Sequence, residues 1–257
     1  MKISQLAAQC YTVREHMKTP ADIAASLKKL RAIGYHAVQI SGVAPIDEHE
    51  LSAMIKGEGL VCCATHEPGA KIIGETGAVI ERLRRLECQI TAYPYPSGVN
   101  FASRDDVVQL ARQLNAAGKQ MHEAGMALCY HNHQIEFRKF GGQTALEILY
   151  SETDPRYLQG EPDTYWVQYG GGDPVAWCQR LAARLPIVHL KDYMVKPDNS
   201  VTMCPIGAGN LNWKAILAAA EQAGCQWYAV EQDTCAGDPF DALRESFEYL
   251  KGIICGN

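Results

Sequence analysis

The sequence lacks the features that mark membrane, secreted and nucleic-acid-binding proteins. It has no run of about 18 apolar residues that would cross a bilayer, and its amino terminus turns polar too early for a signal peptide. Lysine and arginine never cluster beyond a pair, and the formal net charge is −5, which argues against a surface that neutralises phosphates. We therefore expect a soluble, cytoplasmic protein whose partner is a small molecule rather than a membrane or a nucleic acid.

Cysteine pairs with the spacing of a zinc site are also missing. The ten cysteines are scattered, with no Cys-x-x-Cys, so we expect reduced and mostly buried thiols. Apolar residues make up 47% and charged residues 21%, ordinary values that exclude disordered, collagen-like and disulfide-scaffold chains. The 257 residues would fill one large domain or two small ones, but no linker or low-complexity stretch divides them. We expect a single domain over 1–257.

Strand-like and helix-like segments alternate from one end of the chain to the other. The first predicted helix begins after Thr19, a typical N-cap, has Pro20 at its first position and ends at Gly34. Eight strand-then-helix units occur, about 32 residues each, the size of a unit that joins two parallel strands through a helix. The predicted strands cover 3–9, 35–41, 60–65, 88–93, 126–130, 157–162, 187–190 and 227–230.

A closed barrel accommodates eight such units most economically. An open, doubly wound sheet is the alternative. Its Gly-x-Gly-x-x-Gly fingerprint is missing from the first strand–helix turn, which is long and polar at 11–16. The sequence therefore predicts the α/β class and a single (β/α)8 TIM barrel.

Potential metal ligands lie at the ends of the last four predicted strands. They are His131, Asp163, His189 and Glu231. The carboxyl ends of barrel strands meet at one mouth, where carboxylates repel each other unless a cation or a shared proton offsets them. Imidazole and carboxylate ligands together suit Mn²⁺, Mg²⁺, Co²⁺ or Zn²⁺. We expect a divalent metal ion, although a lone histidine or acid at a strand end is usually structural.

Two further groups at this mouth are candidates for contact with a substrate. Because strand residues alternate in direction, His131 and His133 point to the same side, so that one could ligate a metal while the other binds substrate. A purely structural histidine pair is the alternative. Lys191 shares the side of His189 and could stabilise an enolate or an anionic substrate group, although a solvated lysine is equally compatible with the sequence.

Seven stretches of the sequence carry a family resemblance. They are QCYTVRE at 9–15, YHNHQIEF at 130–137, DTYWVQ at 163–168, GGDP at 171–174, VHLKD at 188–192, IGAGN at 206–210 and VEQD at 230–233. In this order, and over nearly the whole chain, they resemble the xylose isomerase-like TIM barrel superfamily, in its sugar phosphate isomerase/epimerase branch with inosose dehydratase-like relatives. The resemblance implies the barrel fold and one divalent ion, most often Mn²⁺.

The resemblance also implies a set of metal ligands. Relatives use Asp, His and Glu from strands six to eight, which correspond here to Asp163, His189 and Glu231. The fifth-strand ligand departs from the family pattern, since His131 stands where relatives carry glutamate and Glu136 lies five residues on; either could complete the set. Glu161 and Pro162 replace the apolar residues usual before the aspartate, and the proline is expected to shorten or bend the sixth strand.

The activity implied by the resemblance is that of a sugar or keto-sugar isomerase or epimerase that works through a metal-stabilised enediolate. The base would be Glu136, Glu231 or one histidine of the pair His131 and His133, with Lys191 as a further catalytic candidate. A lyase or dehydratase acting on a keto-inositol or a 3-keto-glycoside is the alternative, followed by a barrel that binds sugar without turnover. Homo-oligomers are common in the superfamily. The candidate substrate-binding residues, each of which would serve equally well in the core, are Tyr11, Gln39, His66, Tyr93 and Trp166.

Overall fold

Eight parallel strands form one sheet in the computed structural model, which describes residues 1–256. The strands are β1 (Leu6–Gln9), β2 (Ala37–Ile40), β3 (Val61–His66), β4 (Ile90–Tyr93), β5 (Ala127–His131), β6 (Leu158–Glu161), β7 (Ile187–Leu190) and β8 (Trp227–Val230). They lie in the order β6-β5-β4-β3-β2-β1-β8-β7. A parallel bridge between Asp163 and His189 joins β6 to β7. The (β/α)8 barrel expected from the sequence is thus confirmed.

Helices connect the strands and cover the outside of the barrel. They are α1 (Pro20–Ile33), α2 (Glu48–Gly57), α3 (Gly69–Gly74), α4 (Thr76–Arg85), α5 (Arg104–Glu123), α6 (Ala145–Ser151), α7 (Thr164–Tyr169), α8 (Pro174–Arg180), α9 (Trp213–Gln222) and α10 (Pro239–Cys255). The cap predicted at Thr19 is in place, since its hydroxyl accepts the Asp22 N–H, and α5 is capped in the same way by the Ser103 hydroxyl, which accepts the Asp106 N–H.

The barrel interior changes from apolar to polar along its axis. Small apolar side chains such as Ala7, Ala64 and Ala229 fill the lower layer, and larger apolar residues pack between the sheet and the helices. At the carboxyl ends of the strands the buried residues are polar, among them Gln39 and Glu161. Burying such groups is costly unless they pair with each other, so this layer is the place to look for function.

Several elements differ from the sequence-based expectation. A hairpin of Asp192–Val195 and Val201–Cys204 follows β7, where no strands were predicted. Between β3 and β4 the separate short helix α3 precedes α4, and the short helix α7 begins directly after Asp163; neither short helix was predicted. The first strand begins at Leu6 rather than at residue 3, because Ile3–Gln5 form a 3-10 turn in which the Gln5 side chain accepts the Lys2 N–H.

The cysteines agree with the expectation of reduced thiols. All ten are unpaired, and all except Cys235 and Cys255 are buried. Among residues 1–256, no helix is both long enough and apolar enough to span a bilayer.

Candidate active site

The carboxyl ends of the strands surround a cavity of about 340 Å³, near the lower limit for small-molecule sites. It is lined by Tyr11, Ser41, His66, Pro94, Tyr95, His131, His133, Lys191, Glu231 and Asp233. A larger cavity of about 780 Å³ lies at the opposite end of the barrel. In the described part of the chain, the groups of three or more potential metal ligands all lie at the carboxyl ends of the strands. The smaller cavity is therefore the candidate active site.

Three imidazoles enclose the carboxylate of Glu161 at the end of β6. Its Oε1 lies 2.5 Å from His66 Nε2, 3.0 Å from His189 Nε2 and 3.4 Å from His131 Nδ1. Its Oε2 accepts a hydrogen bond of 2.8 Å from the Gln39 side-chain amide. Burial alone would raise the pKa of this carboxyl group, but His189 and His66 hold the pKa well below its usual range. Glu161 is therefore an ionised carboxylate in the interior of the barrel.

The ammonium group of Lys191 lies among three other carboxylates. Its Nζ is 2.9 Å from Asp163 Oδ2, from Glu231 Oε2 and from Asp233 Oδ1. Burial alone would lower the pKa of this lysine, but the carboxylates raise the pKa well above its usual value. Burial and the neighbouring Glu231 raise the pKa of Asp233 to about 6. Lys191 is therefore positively charged and offsets the repulsion among these carboxylates.

His189 connects the two carboxylate clusters. Its Nε2 lies 2.7 Å from Gln39 Oε1 and 3.0 Å from Glu161 Oε1, and its Nδ1 lies 2.9 Å from Glu231 Oε2. Burial alone would lower the pKa of this imidazole, but Glu161 and Glu231 raise the pKa to about 10. Both ring nitrogens of His189 are thus tied to an acidic partner, and the ring orientation is fixed.

Two overlapping groups of side chains have the composition and spacing of a divalent-metal site. The imidazole-rich group is His66, His131, Glu161 and His189, and the carboxylate-rich group is His131, Asp163, His189 and Glu231. Within each group the potential ligand atoms lie within 4.8 Å of one another. His131 Nδ1 is buried without a hydrogen-bond partner, as expected of an atom that binds an ion. The residues therefore fit a divalent ion with nitrogen and oxygen ligands.

His133 and Trp166 form an aromatic wall beside Lys191. Their rings are 5.4 Å apart, and Lys191 Nζ lies 5.6 Å from the Trp166 ring centroid. Burial and the charge of Lys191 lower the pKa of His133 to about 4, so its imidazole is neutral at pH 7. His133 Nδ1 and Trp166 Nε1 are both buried without a hydrogen-bond partner in the protein. Of the two residues, only His133 lines the cavity, and Trp166, a predicted substrate-binding residue, lies behind it.

Glu136 lies apart from both metal-capable groups. It belongs to the short turn Ile135–Phe137, where its Oε1 accepts the Tyr130 hydroxyl at 2.9 Å and its Oε2 accepts the His133 N–H at 2.8 Å. It is not among the residues that line the cavity, and burial raises its pKa to about 7. These contacts give Glu136 a position beneath the turn that carries His133, so that it supports the site from below.

The other predicted substrate-binding residues divide into two sets. Tyr11 and His66 line the cavity. Gln39 is completely buried and bonds to Glu161 and His189, which makes it a supporting residue below the cavity floor. Tyr93 is buried and stacks on Tyr130 at 5.7 Å, away from the cavity lining.

Two acidic residues of the site were not among the predicted ligands or catalytic residues. Glu161 lies at the centre of the three imidazoles, and Asp233 lines the cavity and pairs with Lys191. A signal was available for both: each lies two residues from a predicted ligand, Asp163 or Glu231, and side chains two apart in extended chain point to the same side. The sixth strand ends at Glu161, directly before Pro162.

Asp192, the last residue of the VHLKD stretch, has a structural role. Its carboxylate accepts hydrogen bonds from the Trp213 indole and from four backbone N–H groups, those of Tyr193, Gly207, Gly209 and Leu211. These bonds fix the loop that returns from the hairpin to α9.

The fold and the buried imidazole–carboxylate cluster define a (β/α)8 barrel whose candidate active site lies at the carboxyl-end mouth. The chain belongs to the xylose isomerase-like TIM barrel family, whose model matches residues 27–253. This membership confirms the resemblance noted in the seven sequence stretches.

Relatives with established names lie at moderate sequence identity. The chain is 27% identical over 205 residues to an inosose dehydratase of Clostridium beijerinckii, covering 72% of this chain and 66% of that protein. It is 29% identical over 210 residues to an inosose dehydratase of Geobacillus thermodenitrificans, covering 74% and 67%. The chain thus spans about two thirds of the length of these relatives.

A solved structure shares the complete fold. The sugar phosphate isomerase/epimerase of Parabacteroides distasonis superposes with a TM-score of 0.83 at 21% identity, over 98% of this chain and 94% of that chain. At this identity the likeness concerns the architecture alone.

Proposed function

We propose that the protein is a divalent-metal-dependent enzyme that removes a proton next to the carbonyl group of a keto-sugar or keto-inositol. The observation that carries this proposal is the convergence of three imidazoles, several carboxylates and the Lys191 ammonium group on one small cavity. A bound divalent ion supplies a Lewis acid for the negative charge that develops on the carbonyl oxygen. Its ligands would come from the two metal-capable groups, which share His131 and His189.

His133 is the proposed proton acceptor. It lines the cavity, its imidazole is neutral at pH 7, and its Nδ1 has no partner in the protein. Asp233, with a pKa raised to about 6, lines the same cavity and is the proposed second proton-transfer group. Glu231 is less suited to this role, because Lys191 and His189 already neutralise its carboxylate.

Lys191 is proposed to stabilise the anionic intermediate. Its Nζ is held by three carboxylates, so little reorganisation is needed when negative charge appears on a substrate oxygen nearby. The exposed ring of Tyr11 on the cavity wall can pack against the apolar side of a sugar ring. A cavity of about 340 Å³ suits one sugar or inositol ring.

Dehydration is the first proposed outcome of proton removal. The support is that relatives at 27% and 29% identity are named inosose dehydratases, and loss of a hydroxyl group from an enediolate is a lyase reaction. Isomerisation or epimerisation is the second candidate. It is favoured by the presence of two proton-transfer groups on the cavity, because one could return a proton to carbon after the other has removed it.

Solvent-exchange experiments test this proposal. The metal-stripped protein is incubated in D₂O with keto-inositols, 3-keto-glycosides and ketoses, with and without added Mn²⁺, and the products are followed by NMR. We expect Mn²⁺-dependent deuterium incorporation or loss of water from at least one keto compound, and neither with His133→Ala. Binding of a sugar without deuterium exchange or product would instead identify a sugar-binding barrel and refute the catalytic proposal.

A further inference from the structure

We propose that this chain binds its divalent ion in the imidazole-rich group of His66, His131, Glu161 and His189, while Lys191 serves as the cation of the carboxylate-rich group. The inference rests on the proposed metal dependence and deepens it. It makes Glu161 a ligand, and it makes Asp163 and Glu231 residues that position other groups.

The carboxylates of the carboxylate-rich group already have cationic or N–H partners. Asp163 Oδ2 forms an ion pair with Lys191 Nζ at 2.9 Å, although without hydrogen-bond geometry, and its Oδ1 accepts the Trp166 N–H at 2.9 Å as the N-cap of α7. Glu231 Oε2 is 2.9 Å from Lys191 Nζ and 2.9 Å from His189 Nδ1. A divalent ion bound to these oxygens would lie beside a buried ammonium group, and in this low-dielectric setting the two positive charges would repel each other strongly.

Glu161, in contrast, has no lysine or arginine partner among the described residues. Its Oε1 faces His66 Nε2, His131 Nδ1 and His189 Nε2, each of which can present a lone pair to an ion. Three imidazoles and one carboxylate form a four-ligand set suited to Zn²⁺, Co²⁺ or Mn²⁺. His66 and His131 also line the cavity, so an ion held there would be within reach of a substrate.

The contacts around the imidazole-rich group prepare it for ligation. Metal-binding histidines usually donate their other ring N–H to a carboxylate, which fixes the ring. His189 does so through Nδ1 to Glu231, and its Nε2 faces Gln39 Oε1 at 2.7 Å and Glu161 Oε1 at 3.0 Å, so that an ion bound to Nε2 would replace the contact with Gln39. The Gln39 amide holds Glu161 Oε2 at 2.8 Å and leaves Oε1 for the ion. Glu231 would therefore affect metal binding by positioning His189.

Metal titration of matched variants tests the ligand set without relying on activity. The full-length protein is stripped with a chelator and titrated with Mn²⁺ by calorimetry, in parallel with Glu161→Gln, Asp163→Asn and Glu136→Gln. We expect Glu161→Gln to weaken Mn²⁺ binding by roughly 100-fold or more, beyond the effect typical of residues that only support a ligand. Asp163→Asn is expected to change the Kd by less than about tenfold, and Glu136→Gln, the same chemical change outside both groups, by less still.

A spectroscopic count of nitrogen ligands gives a second and independent test. With Cu²⁺ bound, pulsed EPR should detect three imidazole nitrogens in the wild type and two in His66→Asn, a result that stands even if Glu161→Gln fails to fold. Circular dichroism confirms that each variant is folded. An unchanged nitrogen count in His66→Asn overturns the inference. Loss of Mn²⁺ binding in Asp163→Asn together with unchanged Mn²⁺ binding in Glu161→Gln also overturns it. Either result would still be compatible with the proposed metal-dependent function. A wild-type protein that binds no metal overturns both proposals.

Discussion

The difference in stability between the wild type and Glu136→Gln, followed across pH, reports directly on the protonation state of the buried Glu136 carboxyl group. Burial raises the pKa of Glu136 from 4.5 to about 7. A group whose pKa is higher in the folded than in the unfolded protein contributes its full stabilisation at pH values below the pKa of the unfolded state. This contribution is lost as the pH rises through the pKa of the folded state. Between pH 5 and pH 8 the free energy of unfolding of the wild type should therefore fall by about 2.5 kcal/mol more than that of Glu136→Gln, whose neutral side chain does not titrate.

Urea unfolding measures this difference. The free energies of unfolding of the metal-free wild type and of Glu136→Gln are compared across that pH range, with the exposed Glu245→Gln as the control on α10. The amide introduced by Glu136→Gln can still accept the His133 N–H and donate to the Tyr130 hydroxyl oxygen, so that the local contacts survive. The stability of Glu136→Gln relative to the wild type should rise steadily with pH. A difference that is flat, or that falls with pH, would show that Glu136 is ionised when folded, as a metal ligand would be.

Three other substitutions test separate parts of the structure. Asp192→Ala leaves five donors around the hairpin loop without their acceptor and should lower the free energy of unfolding by about 3–5 kcal/mol in urea titrations; a loss below about 1 kcal/mol would contradict its structural role. Gly118→Ala places a Cβ against the Tyr157 carbonyl oxygen and should lower the free energy of unfolding by about 3 kcal/mol or more, which a lower Tm would show. Gly125→Ala is the control, because it has open space around its Cβ and only its positive φ should make it less stable. His133→Ala should lower kcat by about 100-fold or more with little change in Mn²⁺ affinity, and equal loss of both would instead make His133 a ligand.

The sequence predicted most of the fold because its signals are local. The caps at Thr19 and Ser103 and the short apolar runs define helices and strands without knowledge of distant contacts. The hairpin after β7 could not be predicted in this way. It depends on Asp192, whose carboxylate accepts hydrogen bonds from donors as far along the chain as Trp213, and most residues of its two strands are only partly buried.

The candidate site was predicted in part for a related reason. Asp163, His189, Glu231 and Lys191 were expected at one mouth, and they do meet there. What the sequence did not reveal is how charges pair once the side chains meet: Lys191 lies against the carboxylates, and Glu161 lies among the imidazoles. Pairing of this kind is decided by distances of a few ångströms in a buried layer, and such distances are set by the closed barrel rather than by any local pattern.

A crystal structure of the protein soaked with Mn²⁺, with anomalous diffraction recorded to locate the ion, would test the central claim most directly. The account predicts a single anomalous peak at the carboxyl ends of β3, β5, β6 and β7, about 2.0–2.2 Å from Glu161 and from the nitrogens of His66, His131 and His189. Lys191 should remain paired with Asp163, Glu231 and Asp233. A peak bonded to Asp163 and Glu231 with Lys191 displaced would contradict the ligand set, and the lack of any peak at this mouth would contradict the metal-dependent function itself.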